Sequence, residues 1–185
     1  MQQAFRAFRI HAPKAFERSG IEQLNINDLS SGDVVVRVDY SSVNYKDALA
    51  GSGKGKILRR SPLVGGIDLA GEVVLSESDL FSPGDVVLAN GSGLSETHDG
   101  GYAEYARVPA DWLVPMPSQL DARKSMLLGT AGFTAALALQ RFRDNYQSAD
   151  EGPILVTGAT GGVGSIAIDM LNQQGYEVIA MSRKT

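Results

Sequence analysis

Apolar and polar residues alternate over Asp33–Val38, where Val34, Val36 and Val38 fall on one face and Tyr40 continues it. A period of two is the mark of a half-buried strand. The same composition predicts strands over Ile67–Leu75, Asp85–Ala89 and Tyr102–Val108. Turn residues bound them: Gly65-Gly66, Ser82-Pro83-Gly84 and Asp99-Gly100-Gly101. A short helix, about Tyr45 to Ala50, interrupts this β region. Short strands at regular spacing predict a partly closed barrel or sandwich. Pro115 and Pro117 end it. Asp121 is then a candidate N-cap for a helix over Ala122–Leu127. After Gly129-Thr130-Ala131-Gly132, a second helix is predicted over Phe133–Arg143, with Phe133, Leu137 and Gln140 facing inward.

The last part of the chain has a different pattern. Ile154–Thr157 is a short apolar run that enters the glycine-rich stretch Gly158-Ala-Thr-Gly-Gly-Val-Gly164. Val163, Ile166, Ala167, Met170 and Leu171 then recur with helical spacing, and Gly175 is a C-terminal stop. Glu177–Met181 reads as a second strand. Strand, glycine turn, helix and strand in this order present backbone N–H groups and a helix N-terminus to a pyrophosphate. Ala159, Gly161 and Gly164 fit the Gly-x-Gly-x-x-Gly spacing with alanine in the first slot. Thr160, Gly161, Gly162 and Val163 are the candidate phosphate-loop residues. An acid at the end of the second strand would select NAD; here the chain reads Ser182-Arg183-Lys184, a hydroxyl and two cations that suit the 2′-phosphate of NADP(H).

Composition narrows the classes. A formal net charge of −4 with mixed signs excludes bulk phosphate neutralisation, so no nucleic-acid partner is expected. The chain has no cysteine, hence no disulfide and no thiolate chemistry. Met1–Ile10 lacks an apolar signal core, and the uncharged run Ser125–Gln140 is too short to span a bilayer. A cytoplasmic protein without a membrane partner is the expectation.

Several segments together resemble the medium-chain dehydrogenase/reductases, in their quinone-oxidoreductase-like branch. They are Tyr40-Ser-Ser-Val-Asn-Tyr-Lys-Asp-Ala-Leu49, Gly65-Gly-Ile-Asp-Leu-Ala-Gly71, Pro83-Gly-Asp85 and Gly100-Gly-Tyr-Ala-Glu104. Gly129-Thr-Ala-Gly-Phe-Thr-Ala135 and Thr157–Ser165 belong to the same set. Ser52–Ile57 and Ala110–Val114 are similar to the NADPH-dependent acryloyl-CoA reductases within it. The resemblance implies an α/β two-domain fold. Residues 1–120 would form a GroES-like, partly open barrel that binds substrate. Residues 121–152 would be linking helices, and residues 153–185 the first β-α-β unit of a doubly wound Rossmann domain.

The resemblance also implies chemistry. NADPH would reduce the C=C bond of a 2-enoyl thioester such as acryloyl-CoA, or alternatively a quinone, in a homodimeric parent. Zinc-dependent members place a Cys-His pair where this chain has Asn44 and Tyr45, and a His where it has Ile67. No metal is therefore expected. Tyr45 is the first catalytic candidate and a cofactor contact. Asn44 either orients the nicotinamide or substrate carbonyl, or caps the following helix. Thr130 is a candidate nicotinamide contact. Lys54, Lys56, Arg59 and Arg60 form a basic cluster for coenzyme A phosphates, or a solvated charge run. Asp47 and Asp68 read as structural carboxylates. A nucleotide domain begun at residue 154 needs further strands, so a truncated chain is expected, inactive alone. The competing class is a non-catalytic binding or scaffold module.

Overall fold

The computed structural model describes residues 4–183 except Pro13, and the backbone only of residues 15 and 16. The chain forms two compact units that meet in sequence at Gly129 and Thr130.

The first unit holds β1 (Phe5–Ile10), α1 (Ala15–Arg18), β2 (Gly20–Leu24), β3 (Val34–Tyr40), α2 (Tyr45–Ser52), β4 (Leu63–Val64), β5 (Asp68–Ser76), β6 (Val86–Asn90), β7 (Tyr105–Val108) and β8 (Val114–Pro115). One antiparallel sheet runs β7-β3-β5-β6-β8 and a second β2-β1-β4. An isolated bridge, Ala7 to Ala103, connects the second sheet to the turn before β7. The barrel is thus not closed.

Alternation along β3 explains the main core. Val34 and Val36 meet Leu69, Val73, Val87 and Val108, all fully buried, and Trp112 packs against them. Phe5, Ala7, Leu24, Leu29 and Val64 make a smaller core under the second sheet. Burying a side chain of this kind contributes about 1.5–3 kcal/mol, which is why period two dominates the pattern of this region. The strand expected from Tyr102 begins instead at Tyr105. Tyr102 donates its N–H to Gly65 and its carbonyl accepts from Phe8, so its backbone is already used by other partners.

A helix over Ala122–Asp144, α3, crosses the unit boundary with a break at Gly129, whose φ is 51° and ψ −154°. The second unit contains the rest of α3, β9 (Ile154–Thr157), α4 (Gly162–Gln173) and β10 (Val178–Met181). β9 and β10 pair in parallel, Ile154 opposite Val178 and Thr157 opposite Met181. The inward face of α3 differs from the expected one. Ala135 and Leu139 are buried, whereas Phe133 and Leu137 are exposed and Gln140 lies outside. This stretch is apolar nearly all round, so spacing alone could not set the phase. Ala135, Leu139 and Phe142 instead line an apolar cavity with Ile154, Val156 and Leu171. No helix among the described residues is long and apolar enough to cross a membrane.

Candidate functional site

The candidate site residues fall into two constellations, one in each unit. In the second unit the loop between β9 and α4 is shaped by two glycines. Gly158 has φ 64°, a conformation that strains any side chain. A Cβ on Gly164 would lie 2.4 Å from the Gly158 carbonyl oxygen, so only glycine allows this helix start to sit on the loop. Gly161 is the N-cap, and its N–H donates to the Gly158 carbonyl at 2.9 Å. The N–H groups of Gly162, Val163 and Gly164 lack carbonyl partners within the helix, as in any first turn, and the helix dipole adds partial positive charge there.

Parallel pairing brings the end of β10 alongside. The Ala159 N–H donates to the Met181 carbonyl at 3.1 Å, and Thr160 Oγ1 lies 3.4 Å from Ser182 Oγ. Thr160, Gly161, Gly162, Val163 and Ser182 are thus gathered at one end of the two-stranded sheet, with Arg183 next in the chain and exposed. Lys184 lies outside the described residues. Val163, in the apolar repeat of α4, sits on its first turn and is 41% exposed.

In the first unit, α2 opens at Tyr45, which is 80% exposed. Asn44 is its N-cap, and the Asn44 N–H donates to Asp47 Oδ2 at 2.8 Å. Asp47 is buried, and its Oδ1 accepts the Ile67 N–H at 3.0 Å. Burial pushes the Asp47 carboxyl above its ordinary range, and the hydrogen bonds from Asn44, Ile67 and Tyr102 oppose that only in part. The Tyr102 phenol is raised by burial first and by the nearby Asp47 and Asp68 carboxylates next.

Asp68 is the centre of this polar cluster and is fully buried. Its Oδ2 accepts hydrogen bonds from Ser42 Oγ and from Asn44 Nδ2, and its Oδ1 accepts one from Asn90 Nδ2 at 2.8 Å. Asn44 Nδ2 also donates to Ser42 Oγ at 2.8 Å. Neutral donors, Ser42, Asn44 and Asn90 among them, answer this buried carboxylate, which fits the structural role read from its apolar setting. The amide nitrogen of Asn44 thus has partners inside the fold, and its side chain also takes part in the capping box of α2. A Cβ on Gly129 would stand 2.9 Å from Asp68 Oδ2 and from Ser42 Oγ, so this break in α3 also requires glycine. Sequence reading missed Ser42, Asn90 and Tyr102 as parts of the cluster, and Val43, which is 85% exposed beside Tyr45. Their partners lie 24 to 60 residues away in several cases, and no local pattern reports such pairs.

Thr130 follows Gly129, and its carbonyl accepts from Thr134 Oγ1 at 2.7 Å. The basic cluster is split. Lys46 Nζ and Arg59 Nε lie 2.6 and 3.6 Å from the Glu96 carboxylate, and Arg60 donates to the Thr97 carbonyl at 3.3 Å. Lys54 and Lys56 make no ion pair among the described residues. No group of three or more His, Cys, Asp or Glu comes together in metal-ligating geometry among those residues.

Residues 30–118 match the alcohol dehydrogenase GroES-like domain, and residues 154–185 match the NAD dependent epimerase/dehydratase family. The chain is 48% identical over 165 residues to the acrylyl-CoA reductase AcuI of Ruegeria pomeroyi, covering 89% of this chain and 50% of that protein. The yhdH oxidoreductase of Salmonella enterica, solved in complex with NADP, aligns with a TM-score of 0.92 and 46% identity over 96% of this chain and 55% of that one. Bacillus subtilis yhfP, solved with NAD bound, aligns at 0.90 and 45% identity over 97% of this chain and 54% of that one. The chain thus spans about half the length of the relatives it matches.

Proposed function

For a chain that belongs to the medium-chain dehydrogenase/reductases, we propose that the protein reduces the C=C bond of a 2-enoyl thioester such as acryloyl-CoA with NADPH. The observation that carries the cofactor half is the parallel pairing of β9 and β10, with Thr160 Oγ1 and Ser182 Oγ 3.4 Å apart. The N–H groups of Gly162 and Val163, at the loop formed by Thr160 and Gly161, receive the pyrophosphate, while Ser182, Arg183 and Lys184 receive the 2′-phosphate. The close fit of Gly164 on Gly158 keeps side-chain bulk out of the loop, so the residues present suit the group. When bound, NADPH supplies the hydride.

The substrate half rests on the likeness to the acrylyl-CoA reductase. Hydride addition at the β-carbon builds charge on the thioester oxygen, and a positioned hydrogen-bond donor stabilises it. Tyr45, exposed at the first turn of α2, is the donor we assign, and Asn44 and Thr130 are each assigned as a nicotinamide contact. Lys54, Lys56, Arg59 and Arg60 receive coenzyme A phosphates. The donor set suits no zinc: His98 faces the Ser31 and Asp99 carbonyls, and His11 pairs with Glu22. The protein works in the cytoplasm as a homodimer.

Steady-state oxidation of NADPH by the complete protein tests this. We expect kcat/KM for acryloyl-CoA at least about a hundredfold above that for 1,4-benzoquinone, the discrimination a shaped polar site can supply. Activity should survive prolonged chelation. A preference for the quinone would overturn the substrate assignment and leave the cofactor assignment standing.

A further inference from the structure

The loop after α2 encloses a cavity of about 520 Å³ lined by Ala12, Ala50, Gly53, Lys56, Leu58 and Arg59. Its volume lies in the range of small-molecule sites, and its wall combines apolar surface with cations. Lys56 and Arg59 are the cations of its wall, and Lys46, Lys54 and Arg60 lie close to them in the sequence of a chain whose net charge is −4. Glu96 is the acid that meets them. Its carboxylate bridges Lys46 at 2.6 Å and Arg59 at 3.6 Å, and these cations hold it below the ordinary carboxylate range, Lys46 most strongly. The same loop is anchored through its backbone, where the Arg59 N–H donates to the Glu96 carbonyl at 2.7 Å. The anchor therefore does not depend on the carboxylate.

We propose that Glu96 is an internal anion that pairs with Arg59 at the wall of this cavity and is displaced from Arg59 when a phosphate-bearing ligand enters. The inference rests on the assignment of the basic cluster to substrate phosphates and adds the residue that limits their affinity. An exposed carboxylate pair is worth little, so a phosphate with two charges and three acceptor oxygens competes with it successfully. Lys54 and Lys56, which have no ion pair among the described residues, add attraction without having to give up a partner. Glu96 thereby lowers the affinity for every anion by a small factor, and a doubly charged phosphate offsets that factor more readily than a carboxylate does.

The test is calorimetric titration of the full chain with adenosine 3′,5′-bisphosphate at two ionic strengths, for the parent, Glu96→Gln, Glu96→Asp and the double variant Lys54→Ala/Lys56→Ala. We expect Glu96→Gln to bind at least about threefold more tightly than the parent, the scale of one exposed pair. Glu96→Asp keeps the charge and should stay within about twofold of the parent. The lysine double variant should bind more weakly, with a shallower salt dependence. Equal affinities for the parent and Glu96→Gln, with the lysine effect intact, would overturn the role of Glu96 while sparing the phosphate assignment. Equal tightening by Glu96→Asp and Glu96→Gln would trace the effect to loop disruption and also overturn it. Absence of binding to every variant would overturn both.

Discussion

The sheets of the two units differ in what covers them. In the first, β3 and β5 are central strands, and Val34, Val36, Leu69 and Val73 are fully buried between elements of their own unit. In the second, β9 and β10 form a two-stranded sheet on which Leu155 is 54%, Ile179 50% and Met181 47% exposed. The first unit is held by burial between sheets, the second by backbone pairing and two helices, α4 and the rest of α3. Two strands alone are marginal in water. The difference teaches that the first unit has its own core, whereas the glycine loop is a local device whose stability comes from whatever packs on the sheet.

Paired truncations test that contrast where the effect is largest. Leu69→Ala, in the first core, should lower stability by about 2–5 kcal/mol. Leu155→Ala, on the exposed sheet face, should cost no more than about 0.5 kcal/mol. Urea unfolding followed by far-ultraviolet circular dichroism, which sees both units, beside the fluorescence of Trp112, the chain's single tryptophan, which reports the first, should separate them. Similar losses for both would show that the sheets are equally supported.

Gly164→Ala tests the loop. Its Cβ meets a carbonyl oxygen at 2.4 Å, so the helix start must move. An overpacking cost of about 1–3 kcal/mol should weaken NADPH binding by the complete protein by about tenfold or more. Trp112 unfolding should stay unchanged. Unaltered binding would mean that the loop is not the phosphate site.

Arg183→Ala should reduce the preference of the complete protein for NADPH over NADH by about tenfold, the scale of a charge-assisted hydrogen bond. Direct titrations with both cofactors measure it, and equal affinities in the parent would remove its basis.

The smallest effect concerns Asp47. Its folded pKa is raised above 3.8, so the fold favours the protonated form. Its contribution to stability is fully present below 3.8 and is lost as pH rises through the raised value. The parent should therefore gain on Asp47→Asn as pH falls from neutral towards 3.8, in urea midpoints taken across that window. Glu104 works in the opposite direction: hydrogen bonds from Arg6 lower it, and its small contribution fades as pH falls. A constant difference between parent and variant would contradict the burial argument.

Much of this contrast is readable in the order of residues. β9 spans Ile154–Thr157 as its apolar run predicts, and α2 begins at Tyr45 as expected. The glycine loop is legible because close backbone approach tolerates few residues. β1 and β2 went unread. In Phe5–Ile10 the alternation slips after Ala7, Phe8 being only partly buried, and Arg6 is held by Glu104, 98 residues away. Asp68 was legible as a buried acid, but its partners Ser42, Asn44 and Asn90 come from three separate segments. Such a cluster exists only once the strands are paired. The phase of α3 failed for the opposite reason, an excess of apolar positions.

Hydrogen exchange on the 185-residue chain tests the contrast most directly. The account predicts slow exchange for the paired amides of Val34–Val38 and of Tyr105–Val108, and exchange at least about a hundredfold faster after residue 153, because local opening follows local burial. Uniform protection through residue 183, together with micromolar NADPH affinity of this chain, would contradict it and show a second unit that supports itself.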